Sequence, residues 1–243
     1  VTPDRPFTLA DWLGAARRTV DEVAGRGRLP LLVGGTGLYV SALVDGYRLP
    51  DAAPAVEARR RLVDEMEAEG LAALAERLQR LAPELATRTD LRNPRRVLRA
   101  LELAEAGERG APAAEPYPGR VALLGIRRPR AELYRRIDER AAAMFGAGLL
   151  AEAAALRDAG YGTDLPPMSG HGYREALRAL AGEWPLERAV EVTARHTRQY
   201  AKRQLSWFRR DSRIVWLDAG ERPADDAELV ERAVDLVRRM LAG

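Results

Sequence analysis

Pro30-Leu31-Leu32-Val33-Gly34-Gly35-Thr36-Gly37-Leu38-Tyr39 is the stretch on which the reading of the fold turns. The apolar run Leu29 to Val33 stops at two glycines. It is too short for a helix, and its apolar residues do not alternate, the pattern of a strand buried on both faces. A helical stretch from about Gly37 to Asp45 follows and ends at Gly46. A buried strand feeding a helix through a glycine turn is the unit from which parallel α/β sheets are built. Glycines there let a backbone approach a ligand, and a helix N-terminus attracts anions. No Lys-Ser/Thr pair follows the glycines, so this is not a nucleotide P-loop. Taken alone, the segment is better explained as a plain tight turn.

Upstream, Thr8 is placed to cap a helix with Asp11 three residues on, and Trp12, Ala16, Val20 and Val23 recur at helical spacing up to a stop at Gly27. Downstream, residues 50–107 read as a helical block with Leu71, Leu74, Leu78 and Leu81 on one stripe. Asn93 is placed as an N-cap with Pro94 at the first helical position, and Val97, Leu98 and Leu101 face a core. Glu108 to Gly119, with Pro112, Pro116 and Pro118, reads as a linker. Val121 to Ile126 is a second strand candidate, followed by helices over about 131–145 and 149–157, a loop over 161–172, and a long helix from Pro185 to about Phe208. Arg213 to Leu217 is a third strand candidate. The last helix carries Leu229, Ala233, Leu236 and Met240. Strands separated by helices predict a helix-rich α/β protein with a parallel sheet of about three strands. Its core takes in residues 1–49 and 119–243, and residues 50–118 form a helical insertion.

Composition agrees with an ordinary globular chain: 47% hydrophobic and 31% charged over 243 residues. No run approaches the roughly 20 apolar residues of a membrane span, and the first residues lack a signal pattern. Without cysteine, thiolate metal sites and disulfides are excluded; with two histidines, a His-based site is not expected. The expectation is a cytoplasmic monomer. Net charge is +3, and nearly all the cations are Arg, suited to bidentate phosphate contacts.

Three clusters sharpen that charge. On the long helix, Arg195, Arg198, Lys202 and Arg209 form a stripe, with Val190, Thr197, Ala201, Leu205 and Phe208 opposite. No acid lies between His196 and Arg210 to neutralise it, which favours a polyanion over a merely solvated face. Arg92, Arg95, Arg96 and Arg99 crowd a helix start, against the helix dipole. Arg140 shares a face with Leu133, Ile137 and Met144, where a charge is costly unless it pairs or snorkels.

Five segments also resemble, in order, the tRNA dimethylallyltransferase family: PLLVGGTGLY at 30–39; Arg92-Asn93-Pro94-Arg95-Arg96 with its helix; Arg136-Ile137 with Arg140 and Met144; Gly172-Tyr173-Arg174-Glu175; and TRQYAKRQLSW at 197–207. The resemblance covers residues 7 to about 217. It implies a P-loop-NTPase-like, nucleotide-binding and ATP-binding type of core. The implied activity is transfer of a dimethylallyl group from its diphosphate to the N6 of an adenine beside the tRNA anticodon, with Mg2+ bridging the diphosphate. By the same resemblance, Arg140 stabilises the leaving group and Thr36 lines the channel near the adenine. Gly34, Gly35, Lys202 and Arg203 hold the donor. Arg92, Asn93, Pro94, Arg95, Arg96, Ser169, Gly170, His171, Gly172, Tyr173, Arg174 and Arg198 contact tRNA, and Tyr39 or Tyr173 helps to form a pocket for the unstacked adenine. The family's opening strand, its Gly-Lys-Ser/Thr phosphate loop and its general-base Asp do not match any part of this sequence. His171 stands where the family carries an apolar residue. Alternative readings are a tRNA-binding fragment without activity, and an adenylate isopentenyltransferase acting on a free nucleotide.

Overall fold

The computed structural model describes residues 1–49, 56–108, 114–223 and 226–242. The chain divides into two compact units, one of residues 1–40 with 118–243 and the other of residues 41–117.

The first unit opens with α1 (Leu9–Gly25). Thr8 caps it: its hydroxyl accepts from the Asp11 N–H, and the Asp11 carboxylate accepts from the Thr8 N–H at 2.8 Å. The expected strand over residues 29–33 does not form. Leu31 and Val33 are 82% and 81% exposed, and among the described residues no strand runs beside them to complete a hydrogen-bonded ladder. An apolar run becomes a strand only when a neighbour takes its N–H and C=O groups. The segment leads instead into α2 (Gly37–Val44), whose first amides, of Tyr39 and Val40, donate to the Thr36 carbonyl. Trp12 of α1 and Tyr39 of α2 stack with ring centroids 4.7 Å apart.

The sheet among the described residues has two parallel strands rather than three: β1 (Leu124–Arg127) and β2 (Val215–Asp218), paired Leu124 with Val215 through Arg127 with Asp218. Both begin later than their apolar runs. Asp211 accepts from the Arg213 backbone and guanidinium at 3.0 and 2.7 Å and ties that residue into a turn, so the ladder opens at Val215, whose N–H donates to Leu123. Leu217 and Ala219 pack against Leu229, Ala233 and Leu236 of the last helix.

After β1 come α6 (Arg130–Gly146) and α7 (Leu149–Asp158). A 3-10 turn (Pro166–Ser169) lies inside the expected loop and precedes α8 (Tyr173–Leu180) and α9 (Leu186–Phe208). Phe145, Leu149, Ala153, Met168, Ala176, Leu177 and Ala189 form the core that joins them. The final helix is α10 (Ala227–Ala242). On α6 the buried row is Ile137, Ala141 and Phe145, four residues apart. Arg140 flanks that row beside the half-buried Leu133 and Met144, and its side chain is exposed.

The second unit holds α3 (Val56–Leu81, broken at Gly70), α4 (Pro83–Arg88) and α5 (Pro94–Glu105). Asn93 caps α5 by accepting from the Arg96 N–H, with Pro94 at the first turn, as the sequence predicts. Leu74, Leu78, Val97, Leu98 and Leu101 are buried together, with Leu71 and Leu81 at the margin. A charged lattice closes this face: Arg77 bridges Glu65 and Glu105, and Glu102, 5% exposed at its side chain, takes Arg59 and Arg99 at 2.7 and 3.0 Å. Pro116 and Pro118 sit in coil; Pro112 lies outside the described residues. Among the described residues no helix is long and apolar enough to cross a membrane.

Candidate active site

The glycine segment and α9, distant in sequence, meet in the first unit. The Gln204 side-chain amide donates to the Gly35 carbonyl at 2.9 Å. A Cβ on Gly35 would collide with that amide, and a Cβ on Gly37 with the indole of Trp207. Glycine is required here for close approach, not for an unusual backbone angle. Thr36, between the two contacts, is exposed, and Gly34 has open space around it.

Along α9, Ala189, Val192, Thr193 and Ala194 are buried, while Val190, Thr197, Ala201, Leu205 and Phe208 are half-buried. Arg195, Lys202, Arg203 and Arg209 are exposed. Lys202 is the single lysine of the chain. Among the described residues none of these four cations has a carboxylate partner. Arg203 lies over the Tyr200 ring at 5.7 Å. Arg198 differs: it is ion-paired with Asp138 of α6 and lies 5.8 Å from the Tyr134 ring. From His196 onward α9 has no acid of its own, but a neighbouring helix neutralises this one member of the stripe. Arg140, on the same α6, makes no ion pair among the described residues.

The segment Ser169 to Arg174 is organised around a carboxylate. Ser169 donates to the Pro166 carbonyl at 2.7 Å and closes the 3-10 turn. Gly172 has φ +103, a conformation that side-chain-bearing residues rarely adopt. Its N–H donates to Glu175 Oε2 at 2.8 Å. Glu175 is fully buried. Its Oε1 accepts from Arg174 Nη2 at 3.0 Å and lies 3.1 Å from His196 Nδ1. Burial alone would raise the Glu175 pKa, but the Gly172 amide and the Arg174 guanidinium outweigh it and hold the group below the usual carboxylate range. His171 is exposed on the loop, its ring 5.6 Å from His196 and 6.1 Å from Tyr200. Partial desolvation and the neighbouring His196 lower its pKa. The Tyr173 hydroxyl donates to Glu152 at 2.6 Å.

In the second unit, Arg92, Arg95 and Arg96 are exposed at the start of α5, with the Arg92 side chain 97% exposed. Arg92 and Arg96 reach Asp90 only at 3.7 and 4.0 Å, and Arg95 has no acid among the described residues. Arg99 belongs to the Glu102 lattice instead. These exposed arginines contrast with the short, closed pairs of Arg77 and Arg59.

Gln204, Trp207, Glu175 and His196 were given no role by the sequence, although three of them lie inside the quoted motifs. Glu175 carried a usable signal, a carboxylate three residues after a glycine at a helix start, which matches half of a capping box. Gln204 and Trp207 carried a weaker one. Their spacing of three puts them on one helix face, but what faces them is decided by tertiary packing. Among the described residues no three His, Asp or Glu side chains come together to hold a metal.

A family model described as IPP transferase matches residues 1–211. The tRNA dimethylallyltransferase of Heliobacterium modesticaldum is 40% identical over 99% of this chain and 77% of its own length. The protein of that name from Geobacter sulfurreducens is 42% identical over 90% and 72%. Among solved structures, the tRNA isopentenylpyrophosphate transferase of Bacillus halodurans superposes with a TM-score of 0.67 at 34% identity, covering 98% of this chain and 75% of that one. The enzyme of Staphylococcus epidermidis gives 0.63 at 30% identity, covering 98% and 79%.

Proposed function

The chain belongs to the IPP transferase family, and on that premise we propose that it transfers a dimethylallyl group from dimethylallyl diphosphate to the exocyclic N6 of an adenine next to the tRNA anticodon. The observation that carries the reading is the meeting of the glycine segment around Thr36 with the basic helix α9, which brings two family segments into one site.

In this reading the adenine nitrogen forms a bond to the allylic carbon as the carbon–oxygen bond breaks, the electron pair leaves with the diphosphate, and the alkylated nitrogen gives its extra proton to solvent. Arg140 meets the growing charge on the leaving group. Lys202, Arg203 and the backbone at Gly34 and Gly35 hold the donor, and Thr36 lies at the adenine. Arg140, Lys202 and Arg203 have no carboxylate partner among the described residues, which supports these roles. Arg92, Arg95, Arg96, Arg198 and the loop from Ser169 through Tyr173 and Arg174 bind tRNA, with Asn93 and Pro94 setting the start of α5 under its arginines. We read residues 50–118 as the tRNA-binding insertion, and the parallel pair as part of a P-loop-NTPase-like core of residues 1–49 and 119–243. Magnesium bound with the donor would add charge neutralisation to that supplied by Arg140, Lys202 and Arg203. The enzyme works as a cytoplasmic monomer.

The test is incubation of the protein with dimethylallyl diphosphate and Mg2+, alongside either tRNA or adenosine monophosphate. Prenylated adenosine recovered from digested tRNA, with the monophosphate unmodified, is the expected outcome. Prenylation of the free nucleotide instead would favour an adenylate isopentenyltransferase. Binding of tRNA without any transfer would leave a tRNA-binding protein.

A further inference from the structure

Residues 34–37 receive no sheet hydrogen bonds among the described residues, so their conformation depends on what is packed against them. That is α9. Gln204 and Trp207, three residues apart on one helix face, touch the segment on either side of Thr36: the Gln204 amide holds the Gly35 carbonyl at 2.9 Å, and the Trp207 indole lies against Gly37. Both contacts are so close that any side chain at Gly35 or Gly37 would collide. Thr36 is left exposed between them. Lys202 and Arg203 belong to the same turns of the same helix, so the two contacts also fix where Thr36 stands relative to those cations.

We propose that Gln204 and Trp207 are positioning residues: they clamp the Gly35-Thr36-Gly37 turn onto α9 and set Thr36 in register with Lys202 and Arg203 for prenyl transfer. This rests on the function proposed above. Neither residue needs to touch substrate. Displacing a reacting group by about 1 Å costs on the order of 100-fold in rate, and one lost hydrogen bond at an unpaired turn is enough to allow that displacement.

The test uses Gln204→Glu, which keeps the shape of the side chain but, when ionised, cannot donate to the Gly35 carbonyl. The expected result is a fall in kcat of about 10- to 100-fold, with KM for tRNA within about two-fold of the wild type. The ratio of variant to wild-type activity should rise as the pH falls below about 6, because a carboxyl group beside a carbonyl regains its proton, and with it the donor. Amide exchange over residues 34–39 should be faster in the variant at neutral pH. Trp207→Phe, which keeps an aromatic ring over Gly37, should retain more activity than Trp207→Ala. Unchanged kcat, or unchanged exchange at 34–39, would overturn the proposal. So would a loss that follows a lowered Tm and stays flat with pH, since that is the mark of a structural role. A wild-type protein that transfers no prenyl group would overturn the proposed function instead, and exchange at 34–39 would still decide whether the clamp exists.

Discussion

Glu175, fully buried, accepts the backbone N–H of Gly172 at 2.8 Å and so fixes the left-handed residue that starts α8. The same carboxylate meets Arg174 and His196. One side chain thus anchors the loop that presents His171, Tyr173 and Arg174. Glu175→Ala removes the cap and leaves polar partners short of an acceptor. It should cost about 2–3 kcal/mol, a fall in Tm of roughly 5–10 °C for a chain of this size. Glu175→Gln keeps an acceptor for the Gly172 N–H and should recover about half of that loss. Thermal melts of the two variants check it; equal melts would mean that the carboxylate charge, not the cap, is what stabilises the loop.

The two glycines that face α9 should respond differently. The atom a Gly35 side chain would meet is the far end of Gln204, which can swing away; at Gly37 it is the rigid indole of Trp207. Gly37→Ala should therefore cost about 1–3 kcal/mol, as overpacking does, and Gly35→Ala less. Gln204→Ala should relieve Gly35→Ala and leave Gly37→Ala unrelieved, a double-mutant cycle read in urea.

Local signals were legible in the sequence, and long-range ones were not. Thr8 with Asp11, and Asn93 with Pro94, act within four residues of one another, and the structure has both caps. The leucines of α3 and the Val97 face of α5 follow helical period and are buried together. Residues 29–33 failed because a strand is a property of a pair: an apolar run does not say whether a neighbour exists to complete it. At Arg140 helical period gave the face, but whether a charge there is buried or reaches solvent depends on what packs against α6. The clamp on Thr36 joins positions 169 apart, and no local pattern in the sequence encodes that contact.

The free and the tied arginines predict opposite behaviour towards tRNA. Arg95 and Arg96 are exposed, with at most a 4.0 Å contact to an acid. Arg77 is held between Glu65 and Glu105 at 2.6 and 2.5 Å. Changing Arg95 and Arg96 together to Ala should weaken tRNA binding and lower the slope of log K against log salt by about 1–2, with Tm little changed. Arg77→Ala should leave the slope alone and cost stability. Salt titrations and melts of the two variants separate these effects. Adding Lys202→Ala to the first variant should lower the slope further; Arg198→Ala, whose guanidinium must first leave the exposed Asp138, should add less.

The ion pairs at the α6 start should make stability depend on acid pH. Glu132, 7% exposed, accepts from Arg135 and Arg136, and these bonds hold its pKa at about 2 against an ordinary 4.5. Arg136 in turn donates to the Arg222 carbonyl at 3.1 Å, so the pair ties α6 to the turn before α10. A carboxylate with a lowered folded pKa stabilises the protein fully above its unfolded value, and that contribution fades as the pH drops from about 4.5 towards about 2. The wild type should therefore melt above Glu132→Gln at neutral pH, with the gap closing across that window. His171 acts in the same direction at a higher pH. Its folded pKa lies below the ordinary 6.5, so the unfolded chain binds the extra proton and stability falls as the pH drops through 6.5. In His171→Leu that decline near pH 6.5 should vanish while the one below 4.5 stays. Melting temperatures of the three proteins from pH 7.5 to 3 would show two separate steps; a single shared step would mean that neither group carries the dependence assigned to it.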